Sequence, residues 1–215
     1  MSPATPPPQQ PGILLVRGGV SSTVAWAESG VAAVAVVPQD GGWTAVLPVA
    51  ETTGVAKPYD DAVTMLLGRP VPQRLRPALG LGVVDRRAVV CVAPGGWRAV
   101  RRWLVWQPMR GVVHPGGLPL ARLADIVAVA GAEDPAALGS LADVLYDPAG
   151  DARHVVSDVL DVLGLPGGSY LDGSQLPAEA FGASVISPSS KVVQRFQSAV
   201  HDDVRWRDEM KGQQR

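Results

Sequence analysis

The sequence predicts an α+β fold, a ferredoxin-like or mixed/antiparallel sheet of about six strands with C-terminal helices packed on it. Three observations carry this. Residues 13–67 alternate as strand, helix, strand, strand, helix, and one more strand within Leu79 to Val84 completes a βαββαβ unit. Valine-rich runs suited to a sheet then continue to Trp106. From residue 118 the apolar spacing changes to a helical period, as expected when helices follow a sheet and cover it.

In chain order, residues 1–12 are a Pro/Gln-rich tail with nothing to bury. The run from Ile13 to Arg17 reads as a buried strand ended by Gly18 and Gly19. Ser21 or Ser22 caps a short helix through Glu28 that Gly30 stops, with a strand over 20–27 as the alternative. Val31 to Val37 is the clearest strand, and a turn over Pro38 to Gly42 returns Trp43 to Leu47 as its hairpin partner. Pro58, Asp60 and Asp61 suit the first turn of a helix running to Leu67. Ala88 to Ala93 and Trp97 to Trp106 read as two further strands.

The helical half follows over 118–164. Leu120, Leu123, Ile126, Val127 and Ala130 make one stripe within 118–130. Asp134 and Pro135 open a helix to about Tyr146, and Asp151 opens another that Gly164 and Pro166 stop. The globular domain thus spans 13–165, sheet-rich over 13–106 and helical over 118–164. Residues 166–188, rich in Gly, Pro and Ser, read as a linker, and 189–211 as an amphipathic helix carrying Val192, Val193, Phe196, Val200 and Val204. The stretches 34–48 and 88–100 both contain strand, Pro, Gly-Gly-Trp and a second strand. This pattern fits a degenerate ββα duplication and equally fits ordinary hairpin chemistry.

Composition removes several function classes. With 47% hydrophobic and 18% charged residues the chain is globular rather than disordered. A net charge of −1 gives the whole molecule no bulk attraction for nucleic acid or anionic lipid. One cysteine, Cys91, excludes an internal disulfide and suits a reducing compartment. The longest apolar run, Val31 to Val37, is far shorter than the roughly 20 residues a membrane span needs. The N-terminus lacks a basic region and a long apolar core, so the expected location is cytoplasmic. The preference for arginine over lysine points to a high-GC bacterium.

Charge is unevenly placed. Nine arginines and one acid, Asp85, lie between Arg69 and Arg110, whereas 125–209 is mainly acidic, so the molecule is polarised along its sequence. The segment from Trp97 to Trp106 interleaves arginine with tryptophan, a combination that grips phosphates and stacks bases. Strand alternation divides those side chains between two faces, which favours pairing with the acidic helices or decoration of a sheet edge against aggregation, with a protein or subunit contact surface as the next reading. The residues expected on an interaction surface are Arg98, Arg101, Arg102, Trp103, Trp106, Phe196 and Trp206. A weak anion site is expected at Arg17, Gly18, Gly19, Ser21 and Ser22, where glycines and hydroxyls precede a helix; the spacing lacks the lysine of a phosphate loop.

No catalytic residue, metal site or cofactor is expected. Cys91 sits inside an apolar strand, where a thiol is a small hydrophobe. His114, His154 and His201 are isolated, and His154 is spaced to pair with Asp158 on one helix face. The expected function is non-enzymatic: binding a protein partner or a second copy. Nucleic-acid or nucleotide binding through 69–110 is the first alternative, and an enzyme with an anion site at Gly18 to Thr23 the second.

Overall fold

The computed structural model describes residues 11–132 and 135–213. The expected tail over 1–10 and the Asp134 cap lie outside the described residues. Residues 11 and 12, expected to belong to that tail, are buried instead: Gly12 opens the first strand, and the Pro11 carbonyl accepts from Val83 N–H at 2.9 Å.

The first half of the chain is β1 (Gly12–Val16), α1 (Val20–Ala27), β2 (Val34–Pro38), β3 (Thr44–Pro48), α2 (Ala62–Gly68) and β4 (Ala78–Val84). It continues with β5 (Arg87–Ala93), β6 (Arg102–Gln107) and β7 (Gly111–Val113). Then come α3 (Leu123–Ala130), α4 (Pro135–Tyr146), α5 (Ala152–Val162), α6 (Gly168–Leu171), β8 (Ser184–Ile186) and α7 (Ser190–Gln213). The strands form one open antiparallel sheet in the order β7-β6-β5-β4-β1-β3-β2-β8.

Both faces of this sheet are covered, which is why β1 reads as an unbroken apolar run rather than an alternating one. Ile13, Leu15, Leu79, Val90 and Trp106 face a layer made by α3, α4 and α5. Leu14, Val16, Val36 and Val46 face α1 and α2 on the other side. Three glycines on the second face set how closely α2 approaches. Gly12 and Gly82 pair across β1 and β4, and a Cβ at Gly82 would stand 2.6 Å from Val63 Cγ1. At Gly80 it would stand 2.6 Å from Cys91 Sγ and 2.7 Å from Leu67 Cδ2. Without side chains there, Val63 and Leu67 rest directly on the strands.

Several expectations are corrected. The sheet has eight strands rather than about six, because β7 and β8 are three residues each, too short to show a period in the sequence. The segment expected as a linker over 166–188 contains α6 and β8, and β8 pairs with β2 through Ser184 to Ile186. The long strand expected from Trp97 begins only at Arg102. Gly96 turns the chain at φ 101°, and Arg76 holds the following loop by donating to the Ala99 carbonyl at 3.2 Å. The helix expected from residue 118 starts at Leu123, because Trp103 takes 119–121 as extended backbone: its N–H donates to Pro119 at 2.8 Å and its carbonyl accepts from Ala121 at 2.7 Å. The two Gly-Gly-Trp turns occupy unlike surroundings, with Trp43 4% exposed and Trp97 81% exposed.

Candidate functional site

A cavity lies between α1 and α2, on the sheet face those two short helices share. It measures about 440 Å³ and has Val34 of β2 and Val46 of β3 among its lining residues. One wall comes from the end of α1 and the turn after it, including Trp26, Ser29 and Gly30. The other comes from α2 and its flanks, including Tyr59, Met65, Leu66, Arg69 and Pro70, and Phe196 of α7 also borders the space.

Local chemistry fixes each wall. Asp61 accepts from Thr64 N–H at 2.6 Å, so α2 begins at Ala62, after the residues Pro58 to Asp61 expected in its first turn. Gly68 and Arg69 end it, with Arg69 N–H donating to the Leu66 carbonyl at 3.3 Å. The Arg69 side chain then crosses to the C-terminus of α1. Its guanidinium donates to the Trp26 carbonyl, to Ser29 Oγ at 2.7 Å and to the Ala27 carbonyl at 3.4 Å. A cation there complements the negative end of the α1 dipole. Gly30 leaves room for this path, since a Cβ on it would stand 2.5 Å from Arg69 Nη1. Trp26 replies with Nε1–H, which donates to the Pro70 carbonyl at 3.1 Å.

Among the described residues Arg69 is the one charged residue on the cavity wall, and burial pushes its guanidinium pKa down to about 10. Among the described residues, no carboxylate lies within ion-pair distance of it. At the other end of α2, Tyr59 and Phe196 meet edge to face with ring centroids 5.4 Å apart. Gln197 Nε2 adds a bond to the Gly54 carbonyl at 3.3 Å. These two contacts hold the start of α7 beside the groove, while Trp206 further along is 60% exposed.

The residues singled out by sequence are dispersed. Arg17 ties β1 to the β2–β3 turn: it donates to the Gly41 carbonyl and its guanidinium lies 4.1 Å from the Trp43 ring centroid. Gly19, not Ser21 or Ser22, is the N-cap of α1, and both serines are exposed in the first turn. Backbone pairing decides this: Thr23 N–H donates to the Gly19 carbonyl at 3.0 Å, and Thr23 Oγ1 donates to the same carbonyl, while Thr44 Oγ1 donates to the Gly18 carbonyl at 2.8 Å.

The arginine segment is also divided. Arg102 pairs with Asp125 of α3, and with Arg98 these residues border a smaller cavity of about 310 Å³. Arg98 lies over Trp97 at 5.1 Å and Arg101 over Trp103 at 5.0 Å, and Arg101 Nε and Nη2 are buried without a hydrogen-bond partner. Trp106 is 0% exposed and donates through Nε1 to the Asp147 carbonyl at 3.0 Å, so its place on a contact surface is corrected. Packing under α3–α5 buries it, which strand alternation alone cannot reveal. His154 pairs with Asp151 at 2.9 Å rather than with Asp158, because Asp151 caps α5 and stands beside it. Among the described residues, no group of three or more His, Cys, Asp or Glu is placed to hold a metal ion. None is long and apolar enough, as a helix, to cross a membrane.

Of the groove residues, sequence reasoning had singled out only Phe196, and it counted Arg69 merely as one of nine arginines. The available signal was a lone arginine directly after a helix-ending glycine, yet the helix it caps is α1, some forty residues earlier. No family model, curated protein or solved structure matches the chain.

Proposed function

We propose that this protein is a non-enzymatic binding protein whose site is the groove between α1 and α2, taking up an apolar guest. The observation that carries this is the 440 Å³ cavity itself, walled by apolar side chains and served by a single charge. Cavities of roughly 300–1,000 Å³ with few polar groups are the usual form of a ligand site. Titration with Nile red, a neutral apolar dye, tests it. Saturable binding is expected, weakened about tenfold by Met65→Trp, which fills the space. Dye uptake that does not saturate, or that ignores the substitution, defeats the reading.

A second reading, self-association, is favoured by the free edge of β8. Val185 on that strand is 53% exposed, and Phe181 just before it is 98% exposed. An apolar edge with unpaired backbone groups is a template for antiparallel pairing with the same strand of a second copy. Light scattering across a concentration series is expected to show dimers, abolished by Val185→Lys. A monomer at every concentration rules this out.

The fold itself supports a finer reading. The order β4-β1-β3-β2, with α1 and α2 on one face, supports describing residues 12–84 as a ferredoxin-like unit extended at both edges.

A further inference from the structure

Resting on the groove as the binding site, we infer that its guest is an amphiphilic monocarboxylate, with the acid group at Arg69 and the apolar tail along α2 toward Tyr59 and Phe196. Arg69 and Tyr59 flank α2 in the sequence, and a seven-residue helix separates its two ends by about 10 Å. The groove therefore has a cationic end and an uncharged end, the polarity of an amphiphile.

The charge needs an explanation of its own. The carbonyls of Trp26 and Ala27 require only hydrogen-bond donors, which a neutral side chain also supplies. A guanidinium adds a full positive charge, half-removed from water on an apolar wall, and no carboxylate of the described chain answers it. The α1 dipole offsets only part of that charge. An anion arriving with the guest completes the balance.

The number of charges and donors selects the head group. Nη1 and Nη2 are already bonded to α1 and Ser29, whereas no described residue accepts from Nε. One cation with few remaining donors matches a single carboxylate. A phosphate dianion would bring a second negative charge into an apolar cavity with nothing to offset it.

The test uses the full chain and displacement of bound Nile red by decanoate, decanol and decyl phosphate at pH 8. Decanoate is expected to displace the dye at about tenfold lower concentration than decanol, with decyl phosphate weaker than decanoate. In Arg69→Gln the advantage of decanoate over decanol is expected to vanish, whatever the change in decanol itself. Equal potency of decanoate and decanol on the wild-type protein overturns the inference, and so does a stronger displacement by decyl phosphate. That wild-type comparison decides the matter even where Arg69→Gln does not fold. Failure of Nile red to bind at all defeats the groove reading instead, so the two failures are distinct.

Discussion

The Arg69 guanidinium lies 4.1 Å from the centroid of the Trp26 indole, and Trp26 Nε1–H in turn donates to the carbonyl of Pro70, the neighbour of Arg69. Each residue thus holds the other's backbone, and the pair clamps the C-terminal ends of α1 and α2 on one side of the groove. The cation–π contact adds roughly 0.5–2 kcal/mol to the bonds themselves.

Breaking this clamp is expected to be costly. Trp26→Ala removes a large buried ring as well as the Pro70 bond, and a loss of about 3–5 kcal/mol is expected in urea unfolding. Gly30→Ala leaves both partners in place but obstructs the path of Arg69, so about 1–3 kcal/mol is expected. A Gly30→Ala protein as stable as wild type would show that Arg69 does not need that path.

Gly80→Ala tests the seat of α2. The added methyl meets Cys91 Sγ at 2.6 Å and Leu67 Cδ2 at 2.7 Å, both in a packed core, so about 1–3 kcal/mol of destabilisation is expected. Gly68→Ala, where a Cβ meets nothing within 4 Å, is the control and should change stability by less than about 1 kcal/mol.

Cys91 should be inert to thiol reagents in the native protein and react only on unfolding. Burial raises its pKa, against the opposing effect of the Arg101 charge and the bond with Gly80. A folded value above the unfolded one means its contribution is complete below about pH 8.5 and is lost as pH rises toward the folded value. Unfolding free energy measured from pH 7 to 10 should fall more steeply for wild type than for Cys91→Ala. Parallel curves would contradict this.

Asp151 caps α5 and has the opposite pH signature. It accepts from Arg153 N–H at 2.8 Å and His154 N–H at 3.1 Å, and chiefly the His154 backbone bond lowers its pKa. Its contribution is complete above the unfolded value of about 4 and disappears as pH falls through the lower folded one. Asp151→Ala is expected to cost about 1 kcal/mol at pH 7 and less at pH 2, where only the neutral carboxyl is left to cap the helix. An equal loss at both pH values would mean that the side chain acts through packing instead.

Sequence alone determined the elements whose cause is local. Apolar runs bounded by glycine and proline gave β1 through β5 their places, and Asp151 and Gly164 bounded α5, because capping and turn chemistry act within a few residues. The burial of Cys91 was equally legible, since a strand covered on both faces must be apolar throughout. Only the tertiary structure decided the pairing of β8 with β2, the burial of Trp106, the extended path of 119–121 and the groove. Each of these depends on residues far apart in the chain: Arg69 bonds to α1, Phe196 meets Tyr59, and the helices of the second half cover Trp106. A side chain's own neighbours set its local conformation, but the partner that gives it a role is chosen by packing.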